Sequence, residues 1–339
     1  MKKILAVLVA LISWAPLSFA DDDIGIFETI LESSASFSET NTALEQAIGE
    51  SKLQLHGTHV ITVPGGKHQA RLYVLTSPGF LDAAANESPR TASAQLLRIA
   101  VFTSGDQQST FVNMANPVPH AMIFFAESAN YDALVKAAGD VANQMRDLVR
   151  TLPGNVVSVE TAPLRKEKKY RGFNGDGPAK MMAKFRTWDE SQLLLIEDTA
   201  DNFDAVVDRV VAKLGDGRVA NADEADGWEI VSNIRLRDDV VHLGLTNPYI
   251  EDKMIGINSR FRKDGKSTLS PYPGVDHVAA LPTEVLIVKE GGKTLVLHYG
   301  QMWRMQLYFW DSGYRAFTAN VGVPGTIVDS IEDALEATR

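Results

Sequence analysis

The sequence predicts an α+β chain of two related β-α-β-β-β-β-α domains, mostly antiparallel sheets with helices on one face, set as a pseudo-twofold tandem. Three pairs of segments carry this expectation. "YVLTSPGF" at 73–80 matches "LGLTNPYI" at 243–250 through Leu75/Leu245, Thr76/Thr246 and Pro78/Pro248, an offset of 170. Each ends a β-rich run where proline removes a ladder donor and keeps its predecessor extended. "FSETNTALEQAI" from Phe37 matches "FDAVVDRVVAKL" from Phe203, offset 166, both amphipathic at helical spacing. "LRIAVFTSGDQQSTFVNMAN" at 97–116 and "TEVLIVKEGGKTLVLHYGQM" at 283–302 both read as hairpins, Val101 against Ile287 at offset 186. The anchors keep one order and the offsets drift as loop insertions would make them. Two unrelated α+β segments are the alternative, since short apolar strings also align by chance.

Within each copy a leading strand ("IFETILES"; "SQLLLIED") runs into a helix (38–50; 203–214). Two strands follow ("LQLHGTHVITV" and "ARLYVLT"; "GWEIVSNIRL" and "DVVHLGLT"), then a variable loop, the hairpin and a closing helix. The first closing helix is the clearest: Tyr131, Leu134, Val135, Ala138, Val141, Ala142, Met145, Leu148 and Val149 fall on one face. The second is "TIVDSIEDALEAT", after Pro324 and Gly325. The second copy carries a longer loop at 251–280, and its hairpin turns tightly at Glu290-Gly291-Gly292-Lys293. The divisions are therefore a leader at 1–20, a first domain at 21–155, a basic connector at 156–189 and a second domain at 190–339.

The leader, "MKKILAVLVALISWAPLSFA", has two lysines, an apolar run from Ile4 to Trp14 and small residues Ser18 and Ala20 before Asp21. That is the pattern of a secretory signal cleaved after Ala20, and the run is shorter than the roughly 20 residues of a spanning helix. Without Lys2 and Lys3 the net charge goes from −10 to −12. So acidic a chain is not built for nucleic acid. With zero cysteines it has no disulfide, thiolate metal site or thiol nucleophile. These features fit the periplasm of a Gram-negative cell, and no later segment is long and apolar enough to span a bilayer.

The leading strand, the Phe-Asp start of the helix at 203, the Leu-Thr-Asn-Pro break at 245–248 and the "LPTEVLIVKEGGKTLVLHY" hairpin resemble the bacterial domain of unknown function 302 (DUF302) family. The resemblance covers each copy and implies a TBP-like, helix-grip α+β fold. It implies no reaction and no site residues, because its motifs are strand patterns. The chain departs from the family in its leader, tandem arrangement, long second loop and connector.

Candidate chemistry is sparse. Between Arg165 and Arg186 eight basic residues stand against Glu167 and Asp176. Arg165, Lys166, Lys168, Lys169 and Arg171 could meet an anionic surface, or simply fold onto the protein's own acidic faces. "GFNGDGPAK" has neither phosphate-loop nor calcium-loop spacing and reads as turns. His56, His59 and His68 are close in sequence, but strand residues three apart face opposite ways unless Gly57 marks a bulge. His242 and His298 sit in strands without a partner two residues on. No metal site and no cofactor is expected. The run "HYGQMWRMQLYFWDSGYRAF" is packing, or the wall of a cavity. His242, His298, Trp303, Tyr308 and Trp310 are the candidate ligand contacts there. Serine-nucleophile and zincin motifs are absent from the sequence. The expected role is a periplasmic non-catalytic binding or accessory protein, with a small molecule or a periplasmic protein as partner. A hydrolase or lyase using a cavity histidine and carboxylate is the alternative.

Overall fold

The computed structural model describes residues 23–63, 68–103, 109–173, 193–197, 202–216, 227–261, 274–298 and 300–336. The leader, the tip of the first hairpin, connector residues 174–189 and the adjoining 190–192 are among those that lie outside the described residues. The first half comprises β1 (Ile24–Ser33), α1 (Phe37–Glu50), β2 (Gln54–Val60), β3 (Ala70–Thr76), α2 (Pro78–Ala83), a 3-10 segment Pro89–Gln95, β4 (Leu97–Thr103), β5 (Thr110–Ala115), α3 (Pro117–Phe124), α4 (Tyr131–Arg150), β6 (Gly154–Arg165) and α5 (Glu167–Arg171). The second comprises β7 (Leu193–Glu197), α6 (Phe203–Leu214), β8 (Glu229–Arg237), β9 (Val240–Thr246), α7 (Pro248–Phe261), a 3-10 segment Val275–Ala280, β10 (Thr283–Glu290), β11 (Lys293–His298), α8 (Gln301–Phe309), a 3-10 turn Trp310–Ser312, α9 (Gly313–Ala319) and α10 (Val323–Glu336).

The class is α+β. Among the described residues two wholly antiparallel sheets form, ordered β2-β3-β4-β5-β1-β6 and β7-β11-β10-β9-β8. Read from β2 and from β8, the neighbours follow one order, and the first sheet adds β6.

Local chemistry explains most elements. Ser36 and Glu39 close a capping box at the start of α1. On α4 the expected face is buried, with Val135 half-buried at its margin. In the second hairpin Gly291 and Gly292 both have positive φ (59° and 79°), as a two-residue primed turn requires, and Glu290 pairs with Lys293. The Thr-x-Pro breaks are helix starts. Asn247 Oδ1 accepts the Ile250 N–H at 3.0 Å, with Pro248 in the first turn, so the expected long loop opens as α7 and ends in the Val275–Ala280 segment.

The other difference lies at the connector. Residues 156–165 are not a linker but most of β6, paired along β1 from Ile24↔Arg165 to Ser33↔Gly154. The expected boundary at 155/156 falls inside this strand, whose β-branched run is masked in the sequence by the bases that follow it.

Helices α1 and α4 pack against the first sheet, and α6 and α10 against the second. The 3-10 segments are exchanged: Val275–Ala280 lies on β3, β4 and β5, and Pro89–Gln95 lies on β9 and β10. One hydrophobic cluster therefore runs through both halves. Beside it β2 crosses β8, and a bulge after Leu55 brings Gly57 so close that a Cβ there would lie 1.9 Å from the Val231 carbonyl oxygen.

Candidate functional site: a buried polar junction

The strand registers aim a set of polar groups at the seam. Phe27, Ala115 and Arg98 form one row across β1, β5 and β4. Glu284 on β10 stands opposite Gly244, and Leu286 opposite His242, so Glu284 and His242 share the face of the second sheet that meets Arg98. Arg98 Nη1 donates to Glu284 Oε1 at 3.2 Å, and both side chains are buried. Arg98 Nη2 donates to Tyr308 Oη at 2.9 Å and lies 2.8 Å from His120 Nε2. Arg304 Nη1 approaches the same Glu284 oxygen at 3.5 Å, while its Nη2 donates to the carbonyls of Ala280 and Pro282.

Proton positions follow from the partners. His120 Nδ1 lies 2.7 Å from the Asn116 carbonyl, so it carries the hydrogen and Nε2 is the acceptor. Burial, helped by the Arg98 charge, pushes His120 down to about 3, so it is neutral. Tyr308 then donates to His120 Nε2 at 2.7 Å, and burial pushes the phenol up in spite of the two guanidiniums. His242 is also neutral: burial takes it to about 4, and neither ring nitrogen has a hydrogen-bond partner among the described residues. Behind Phe27 lies a second group, with His277 Nδ1 at 2.9 Å from Asp276 Oδ1 and Nε2 at 3.6 Å from Asp311 Oδ2.

At the far end of the seam His59 on β2 meets two carboxylates of the second half, Glu229 at 3.0 Å and Glu251 at 2.7 Å. The bulge at Gly57 is real, yet the early histidines do not converge. His56 Nε2 pairs with the Thr76 hydroxyl at 2.8 Å and His68 Nδ1 with the Thr103 carbonyl at 2.8 Å. Among the described residues no three His, Asp or Glu side chains are grouped to hold a metal ion.

Of the five candidate ligand contacts, only Tyr308 belongs to the network around Arg98, with His242 next to it. His298 pairs with Val285 and so faces the other side of the second sheet from His242. Its Nδ1 accepts the Gly300 N–H at 2.9 Å at the β11–α8 corner, and burial lowers it to about 4. Trp303 is buried edge-on to Phe124, Phe173 and Tyr308. Trp310 packs on Phe317 in a small satellite cluster.

The basic candidates also separate. Arg165 is not available to any surface: it is buried, donates to the Leu307 and Gln306 carbonyls at 3.1 and 2.9 Å, and lies over Tyr170 and Phe173. It thereby caps carbonyls in the last turn of α8. Arg171 lies over the Tyr131 ring at 4.0 Å, Lys166 is half-buried, and Lys168 and Lys169 are exposed.

Beyond the network, a narrow cleft of about 30 Å³ lies between α7, α8 and α10. Ile250, Met254, Met305, Phe309, Val323 and Ile327 make it apolar, and Lys253, which pairs with Asp252, and Arg304, whose guanidinium is held by Glu284 and two carbonyls, also line it. A wider groove of about 460 Å³ follows α1 and α4, lined mainly by ordinary surface side chains such as Glu50, Lys52 and Asp147.

The chain is similar to a DUF302 protein. That solved structure is an uncharacterized conserved protein from Bacillus stearothermophilus, 13% identical, with 38% of this chain and 98% of that chain covered at a TM-score of 0.31. No family model matches the chain, and no curated protein does. Among the described residues no helix is long and apolar enough to cross a membrane.

Arg98, His120, Glu284 and Arg304 are the site residues that sequence reasoning missed. A signal existed. Arg98 and Glu284 are 186 positions apart, the offset of the two hairpins, and each is a charge at the head of a strand, followed by an apolar stretch. His120 is likewise a lone titratable group in the apolar run "PVPHAMIFF".

Proposed function

We propose that the chain is an exported, non-catalytic binding protein of two related DUF302-like units in tandem, which takes an apolar ligand with an acidic end in the cleft between α7, α8 and α10. The tandem relation is supported by the shared strand order and by register. Ile99 pairs with Met114 and Val285 with His298, so His120 and Arg304 each stand six residues beyond equivalent strand positions. The leader supports export to the periplasm, for which N-terminal sequencing of the exported protein should start at Asp21.

The observation that carries the binding reading is the cleft itself. Apolar walls with the Lys253 ammonium beside them suit an amphipathic acid such as an alkyl carboxylate, the Arg304 guanidinium being held by Glu284 and the Ala280 and Pro282 carbonyls. Its 30 Å³ is small beside the roughly 300 Å³ of ordinary ligand pockets, so occupancy requires α7 and α10 to part. The polar junction is a poorer ligand site, because Arg98, His120, Tyr308 and Glu284 engage one another and are buried. A hydrolase or lyase would draw on His242 and Glu284, which share a face but make no hydrogen bond to each other.

The test is titration of the purified protein with decanoate, read by calorimetry and by Trp303 and Trp310 fluorescence, with decylamine as the charge control. Saturable binding of decanoate alone is expected, weakened at least about tenfold by Lys253→Glu and by Ile327→Trp, which fills the cleft. Absence of saturation, or equal binding of decylamine, defeats the reading.

A further inference from the structure

We propose that His59, Glu251 and Glu229 form a proton-operated latch between the two halves, closed while His59 is an imidazolium and released when it loses its proton. The geometry requires two ring protons. Nδ1 lies 3.0 Å from Glu229 Oε1 and Nε2 lies 2.7 Å from Glu251 Oε1, and an ionised carboxylate only accepts. Glu251 is already an acceptor on both oxygens: Oε1 takes the Thr246 hydroxyl at 2.9 Å and Oε2 takes the Thr62 N–H at 2.6 Å. A neutral imidazole would turn one lone pair onto a carboxylate oxygen and lose that contact.

The groups facing His59 come from each neighbouring element. Helix α7 supplies Glu251, which is 1% exposed, and β8 supplies Glu229, which is 63% exposed and partly screened. Asp252 and Lys253, next on α7, pair with each other. Strand β3 places Leu72 opposite His59, while Arg71 turns outward to Glu45 and Thr58. On β2 itself His56 is turned to Thr76, and burial lowers its pKa.

Burial also pulls His59 down, but the two carboxylates outweigh it and leave its pKa above the ordinary 6.5. For a basic group with a raised folded-state pKa, the stabilisation is complete below the unfolded value. It is lost as pH rises through the folded value. The latch is therefore an acid-side clamp. It holds β2, the edge strand of the first sheet, onto α7 and β8 beside the fixed contact at Gly57. Release should free the β2 end that carries Thr62.

The experiment is an NMR titration of the His59 ring in the full chain, with hydrogen exchange at the Thr62 amide divided by its intrinsic rate. His59 should titrate above 6.5, and Thr62 protection should fall through the same pH, about tenfold for each unit by which the pKa is raised. In His59→Gln that step in protection should be absent. Should that variant not fold, Glu229→Gln removes only the exposed partner and should lower the His59 titration point. Titration at or below 6.5, or Thr62 protection that ignores it, overturns the latch.

Discussion

Replacing Glu284 by Gln removes the carboxylate between Arg98 and Arg304 and leaves two guanidiniums facing each other in the interior. At an effective dielectric of about 20, each contact, 3.2 Å to Arg98 and 3.5 Å to Arg304, is worth about 5 kcal/mol before desolvation. Breaking a buried pair usually costs about 3–5 kcal/mol, because the partner stays buried and uncompensated. Glu284→Gln is therefore expected to lower the unfolding free energy by about 3–5 kcal/mol. Arg98→Met leaves Glu284 with Arg304 but unmakes the contacts to His120 and Tyr308, an expected loss of about 2–4 kcal/mol. The double variant removes both charges of the pair, so its loss should fall short of the sum by at least about 1.5 kcal/mol. Urea unfolding followed by tryptophan fluorescence reads all three, since one core joins the halves. A Glu284→Gln protein within about 1 kcal/mol of wild type, or strict additivity, would refute the argument.

Three further outcomes follow from the same structure. His120, His242 and His298 are buried neutral at about 3, 4 and 4, so only the unfolded chain takes up their protons between those values and 6.5. Stability should fall by several kcal/mol as pH drops from about 6.5 towards 4, and a flat unfolding midpoint in that window would contradict it. Gly57→Ala places a Cβ 1.9 Å from the Val231 oxygen and should lower stability by about 3 kcal/mol or more, visible as a drop in Tm. Arg165→Met should cost about 2–4 kcal/mol through lost α8 contacts, whereas Lys168→Ser with Lys169→Ser should stay within about 0.5 kcal/mol; similar losses would mean Arg165 is not holding α8.

Much of the fold was legible because its signals are local. The face of α4 and the two-glycine turn depend on residues within a turn of their neighbours in the pattern. Strand β6 was hidden because its pairing partner, β1, lies more than a hundred residues away, and nearby bases made the stretch look like a linker. Arg165 misled for the same reason: a surface base and a helix-capping base are identical until α8 is placed over it.

Composition and periodicity by themselves determined the α+β class, the lack of any disulfide, and the matched offsets of the two halves. Tertiary structure alone decided which polar residues meet. Arg98 and Glu284 head two ordinary strands, and His59 and Glu251 stand 192 positions apart. Turn and helix preferences act over a few residues and can be read along the chain. Pairing across the seam depends on which face of each sheet is turned inward, and that is set only when the two sheets pack.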